Sequence, residues 1–184
     1  MQHDNTENNL ARIRRLARLL EGVCLTAAVA VTPLVALYWA AFNVLPADMT
    51  REVAPLAVNP VLPAWVRGLC FLAAMVPGTA LIVTVLRLRG LFSLYKNGRI
   101  FTLANVVCFR SVARALCVWA VASMVYLPLR GLAVTAANPP GRHLLVLGIG
   151  GTELALFFMA LLAVVIGRVM DEARRLDEEL TLTV

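Results

Sequence analysis

Four long apolar runs alternate with polar or basic stretches along this chain, at about 23–42, 68–86, 115–133 and 144–167. The first, VCLTAAVAVTPLVALYWAAF, contains no charged residue. Twenty helical residues at about 1.5 Å each give roughly 30 Å, the thickness of a bilayer's hydrocarbon core. Arginines precede this run, as they do in a secretory signal peptide. The apolar stretch of such a peptide is only about 7–15 residues, so the run is expected to stay as a span. Tyr38, Trp39 and Trp65 stand at run ends, where amphipathic rings favour the membrane–water boundary.

The stretches between the runs predict the connections. Residues 1–9, MQHDNTENN, are polar and without periodicity, and read as a disordered tail. From Leu10 onward Ile13, Leu16, Ala17 and Leu20 share one helical face, which predicts a short amphipathic entry helix lying at the headgroups and running into the first span. Residues 43–64 hold four prolines and predict an ordered or semi-ordered loop rather than a helix. The second span is expected to continue as helix to Tyr95 or Lys96 and to stop at Asn97-Gly98. Thr102 is then placed to cap the next helix with its hydroxyl. Residues 134–143 form a turn. Residues 168–184 predict a charged helix and tail, with Asp171 spaced to pair with Arg174 or Arg175.

The predicted fold is all-α: a single integral membrane domain over 1–184, an antiparallel bundle of four transmembrane helices with short interfacial and cytoplasmic helical extensions. Composition agrees. The chain is 60% hydrophobic and 15% charged, with a mean hydropathy of +0.80, more apolar than soluble domains are. A net charge of +6 would suggest nucleic acid as partner in a soluble protein. Here the cations collect at run ends, so anionic headgroups are the expected counter-charge and no direct nucleic-acid contact is expected. Thirteen lysines and arginines fall on the side of the termini and the 87–114 stretch, against four on the other side. That bias predicts a bacterial-type inner-membrane topology with both termini cytoplasmic. Lys96, Arg99, Arg110 and Arg114 belong to this basic side, and the last two share a helical face suited to headgroups.

The connection between the second and third runs reads LFSLYKNGRIFTLANVVCFRSVAR. It resembles the loop signature of a bacterial membrane family, the domain of unknown function 2975, in which Tyr-x-x-Gly-x-Ile-Phe-Thr is followed shortly by Asn. The matching positions are Tyr95, Gly98, Ile100, Phe101, Thr102 and Asn105, and the ending LTLTV is similar to the family's close. Ala104 departs from the pattern, since an acidic residue often precedes that Asn. The resemblance implies a bacterial inner-membrane protein with four spans, sometimes encoded beside small helix-turn-helix regulators.

Enzyme chemistry has little to work with. The only histidines, His3 and His143, fall on opposite sides of the predicted membrane, and the four cysteines show no CxxC spacing. No catalytic residue, metal or cofactor is expected. Glu153 is the one acid inside a predicted span, where an ionised carboxylate costs about 2.5–3.5 kcal/mol on insertion scales. Counting residues puts Thr32, Thr79 and Tyr126 at a similar depth, with Arg130 one turn outward. This set is either a polar pocket at the middle of the membrane or a carboxyl that pairs with Tyr126 or Arg130 to hold the helices together. Two functions remain open on this reading. One is a non-enzymatic sensing or regulatory module working with a cytoplasmic regulator protein. The other is a small transporter or efflux protein, expected to be a homodimer because four spans are few for a solute path.

Overall fold

The computed structural model describes the backbone of residues 2–59, 61–97, 102–146, 148 and 150–182, with side chains for these except 2–13, 152, 173, 174 and 176–182. Helix α1 runs Gln2–Ala41, α2 Ala47–Thr50, α3 Ala64–Lys96, α4 Leu103–Thr135 and α5 Gly151–Leu182. The four long ones, α1, α3, α4 and α5, are long and apolar enough to cross a membrane. The molecule is an all-helical, multi-pass membrane protein whose long helices alternate in direction.

Each long helix packs on its neighbour in sequence: α1 on α3, α3 on α4, and α4 on α5. No other pair of long helices packs extensively among the described residues, so the bundle is an open row with α1 and α5 at its ends. Small residues line the seams. Ala17, Cys24 and Ala28 of α1, Cys70, Ala73 and Gly78 of α3, Ala113 and Ala120 of α4, and Ala160 of α5 are all buried. Large side chains such as Leu34, Leu72 and Phe158 point outward and are more than 60% exposed. Lipid explains this inversion. Leucine gains nothing by leaving an acyl chain for another leucine, so close backbone approach through small residues drives packing instead.

One sequence expectation changes at the first helix. Residues 2–9, predicted to be a disordered tail, are the start of α1. They contain neither Gly nor Pro, Asp4 and Glu7 sit near the positive end of the helix dipole, and extending an existing helix is far easier than nucleating one. The helical segment from Leu10 runs into the first span as expected, because α1 passes through Gly22 without a break.

The proline-rich connection forms a hydrogen-bonded lid containing short helical turns, including α2, which begins just after Pro46. Trp39 stacks on Phe42, their centroids 5.3 Å apart, and with Val53, Leu62, Val66, Cys70, Ala133 and Val134 they make the main buried cluster. The Asn43 amide donates to the Leu62 carbonyl at 3.1 Å and accepts from the Leu62 N–H at 3.0 Å. Asn138 accepts from the Val58 N–H at 3.1 Å and donates to the carbonyls of Leu56 and Arg142 at 3.0 and 3.2 Å. Backbone groups that proline and irregular geometry leave unpaired thus find side-chain partners.

The fourth span differs most from expectation. Its helix begins at Gly151, not near Leu144, and the described residues from 144 to 150 are non-helical. Three glycines at 148, 150 and 151 each disfavour helix by about 1 kcal/mol. Gly131 of α4 accommodates the non-helical stretch. A Cβ there would lie 3.2 Å from the Val146 nitrogen and 3.3 Å from the Leu144 oxygen.

Candidate functional site: the carboxylate level and the arginine-rich end

The late start of α5 relocates Glu153. It lies in the first helical turn, 8% exposed, and its Oε2 accepts the Gly150 N–H at 2.9 Å. Gly150 also supplies the carbonyl for the Leu154 N–H, so it is the N-cap, and Glu153 is the third helical residue reaching back as in a capping box. The signal was present in GIGGTE. Gly is an accepted N-cap and Glu three positions later is its usual companion, but the apolar residues around them read as continuous span.

Depth follows from the α4–α5 seam. Asp171 of α5 pairs with Arg110 of α4 at 2.5 Å. Glu153 is about 27 Å along α5 from that contact, and Arg130 about 30 Å along α4, at 1.5 Å per residue. Glu153 therefore lies near the level of Arg130, at the lid side of the membrane and not at its middle. The two do not pair. Arg130 instead reaches Glu52 of the lid at 3.4 Å and lies 5.4 Å over the Tyr126 ring. Thr79 donates to Val76 of its own helix at 3.0 Å. Thr32 is exposed on α1, at the far end of the row from α5. Of the set Glu153, Tyr126, Thr79, Thr32 and Arg130, the contacts among the described residues bring together Arg130 and Tyr126.

The opposite end holds most of the charge. Helix α3 continues to Lys96, as its pattern predicts, and Asn97 follows as the C-cap. Gly98, Arg99, Ile100 and Phe101 of the loop motif lie outside the described residues. Thr102 occupies the N-cap position of α4, but its hydroxyl makes no capping bond and has no partner among the described residues. Its backbone oxygen takes the Asn105 N–H at 2.9 Å instead, and Asn105 is fully buried. Tyr95 is partly buried at the end of α3.

Ion pairs lace the helices together here. Glu21 of α1 takes Lys96 at 3.1 Å and Arg89 at 3.5 Å, both from α3. Asp171, spaced to pair with Arg174 or Arg175 within α5, also has a partner on α4. Asp171 reaches across to Arg110, Arg175 approaches Glu172 at 3.9 Å, and the Arg174 side chain lies outside the described residues. Arg110 and Arg114, placed by spacing on one headgroup-facing surface, line one groove together, and Arg110 also pairs with Asp171. Arg114 lines two apolar-walled grooves on α4's flanks, one shared with Arg87 and Ser111 of the α3–α4 seam, the other with Arg168 of α5. Among the described residues no group of three or more His, Cys, Asp or Glu side chains could hold a metal ion.

No curated protein and no solved structure matches the chain. A sequence family does. Its description is protein of unknown function (DUF2975), and its match covers residues 20–184, from within α1 through α3, α4 and α5. The chain belongs to that family.

Proposed function

We propose that this protein is a non-enzymatic regulatory module of the bacterial inner membrane, with both termini cytoplasmic, that holds a cytoplasmic partner protein on its C-terminal helix. One observation carries the reading. Helix α5 leaves the membrane without a break and runs on to Leu182, fastened to α4 by the Arg110–Asp171 pair at the membrane surface. A solvated helix held at a fixed angle by its transmembrane part offers a partner an ordered surface, with little ordering entropy lost on docking. The basic bias toward this end supports the cytoplasmic placement. The transport reading loses support, because Glu153 caps a helix and Thr79 bonds within its own helix.

The test is site-specific photo-crosslinking in intact cells, with the crosslinker at Arg175 on the extension and, as a reference, at lipid-facing Phe158. A single soluble protein should crosslink from position 175 only, and deleting 171–184 should abolish its co-purification. Undiminished recovery of that protein after the deletion would refute docking through α5. Labelling of the C-terminus by a membrane-impermeant reagent in intact cells would refute the orientation.

A further inference from the structure

We propose that the α3–α4 seam at the arginine-rich end is a binding site for one anionic phospholipid, its phosphate held by Arg87, Arg114 and Ser111 and an acyl chain lying between Val83 and Val118.

Two cavities carry this placement. One, of about 580 Å³, runs along the seam from Arg87 and Arg114 past Val83 and Val118 to Val76 and Ala122. The other, of about 690 Å³, continues from the same arginines toward Leu103 and Ala104 at the start of α4. They meet at Arg87, Ser111 and Arg114, so the seam has a charged centre with an apolar arm toward the membrane interior. Small residues open that arm, since Ala80, Ala115 and Ala122 leave room that larger side chains would fill. From Arg114 to Ala122 the arm covers about 12 Å of α4, the depth of the upper part of an acyl chain.

Charge decides what sits at the centre. The described acids at this end are committed elsewhere: Glu21 to Arg89 and Lys96, Asp171 to Arg110, Glu172 to Arg175. Among the described residues, Arg87 and Arg114 have no acidic partner. Two guanidinium groups lining one groove without a counter-charge repel each other, and a phosphodiester cancels that repulsion while accepting their hydrogen bonds. The Ser111 hydroxyl adds a further donor. A soluble anion would leave the apolar arm unfilled, and an apolar peptide would leave the arginines unneutralised. A phospholipid satisfies both halves. A net negative one is selected because the ammonium of a zwitterionic headgroup brings back the positive charge that the phosphate removes. The proposal stands whether or not a partner docks on α5.

Native mass spectrometry of the full-length protein tests it, after exchange from detergent into vesicles of phosphatidylglycerol and phosphatidylcholine with identical chains. Wild-type protein should retain one phosphatidylglycerol per chain and prefer it to phosphatidylcholine. Replacing both arginines (Arg87→Gln with Arg114→Gln) should weaken retention about twenty-five-fold, taking each basic residue at about fivefold. The pair Arg87→Lys and Arg114→Lys should keep most of it. Arg175→Gln removes a charge from the same end without touching the groove and should retain lipid as the wild type does. Three results would overturn the site: equal retention of the two lipids by the wild type, undiminished retention by the double Gln variant, or displacement of the lipid by inorganic phosphate. The first and third need no variant, so a folding defect cannot hide the answer.

Discussion

The two ends of this helix row close in opposite ways. At the lid end, neutral amides and one short aromatic stack bind the connections to the helix tips: Asn43 to Leu62, Asn138 to Leu56, Val58 and Arg142, and Trp39 on Phe42. Among the described residues, charge contributes there the Arg130–Glu52 bridge, whose carboxylate is mostly exposed, and the Arg67 guanidinium's bond to the Ala40 carbonyl. At the other end the helices outrun the membrane, few loops cover them, and ion pairs between helices do the joining. The lid amides are exposed or half-buried, but their hydrogen bonds are between neutral groups and are little affected by salt. An end tied by exposed charges is held loosely, because such pairs are screened and contribute at most about 1 kcal/mol each. Fixed geometry therefore belongs to the lid, and the capacity to respond to lipid or protein belongs to the arginine-rich end.

Substitutions can break or sharpen that contrast. Asn138→Ala removes three hydrogen bonds and leaves backbone groups of the lid unpaired. It should destabilise by about 3 kcal/mol at roughly 1 kcal/mol per bond, read as a lower midpoint of thermal unfolding in detergent. Gly131→Ala puts a methyl 3.0 Å from Val146 Cγ2 and close to two backbone atoms, and should cost about 1–2 kcal/mol in the same assay. A loss as small as that of a surface change would mean the 144–150 stretch does not rest on α4. Glu153→Ala deletes the cap and should cost about 1 kcal/mol, whereas Glu153→Gln, which keeps a carbonyl oxygen for the Gly150 N–H, should cost less. A Gln variant as damaged as the Ala variant would assign the carboxylate's charge a role beyond capping. Smallest is Asp171→Asn, at about 0.5 kcal/mol, and raised salt should mimic it. If Asp171→Asn outweighed Asn138→Ala, the contrast between the ends would be reversed.

Much of this architecture is legible in the residues. Apolar length marks all four spans, because lipid imposes that length directly, and Asn97 ends α3 where its turn chemistry says it should. Three features are not. Hydropathy scores LLVLGIG as span without registering that its glycines resist helix, which displaced Glu153 from a helix cap to the middle of the membrane. Thr102 has the right identity and position for a cap, yet its backbone, not its hydroxyl, receives the amide. The partner of Arg110 is 61 residues away, and spacing along one helix had favoured nearer candidates for Asp171. Local chemistry reads from sequence; which seam a side chain enters does not.

The break before Gly151 also bears on the membrane itself. Helix α5 presents an unbroken apolar surface only from Leu154 to Gly167, about 21 Å at 1.5 Å per residue, against roughly 30 Å for a typical hydrocarbon core. Above it the described chain is non-helical, and the Leu144 and Gly150 N–H groups are taken up by the Thr135 hydroxyl and the Glu153 carboxylate. Acyl chains beside α5 must shorten to match that length, whereas beside α3 the bilayer keeps its full depth. The protein thus carries a thickness gradient across its own width, and membranes of different thickness will strain its two flanks unequally.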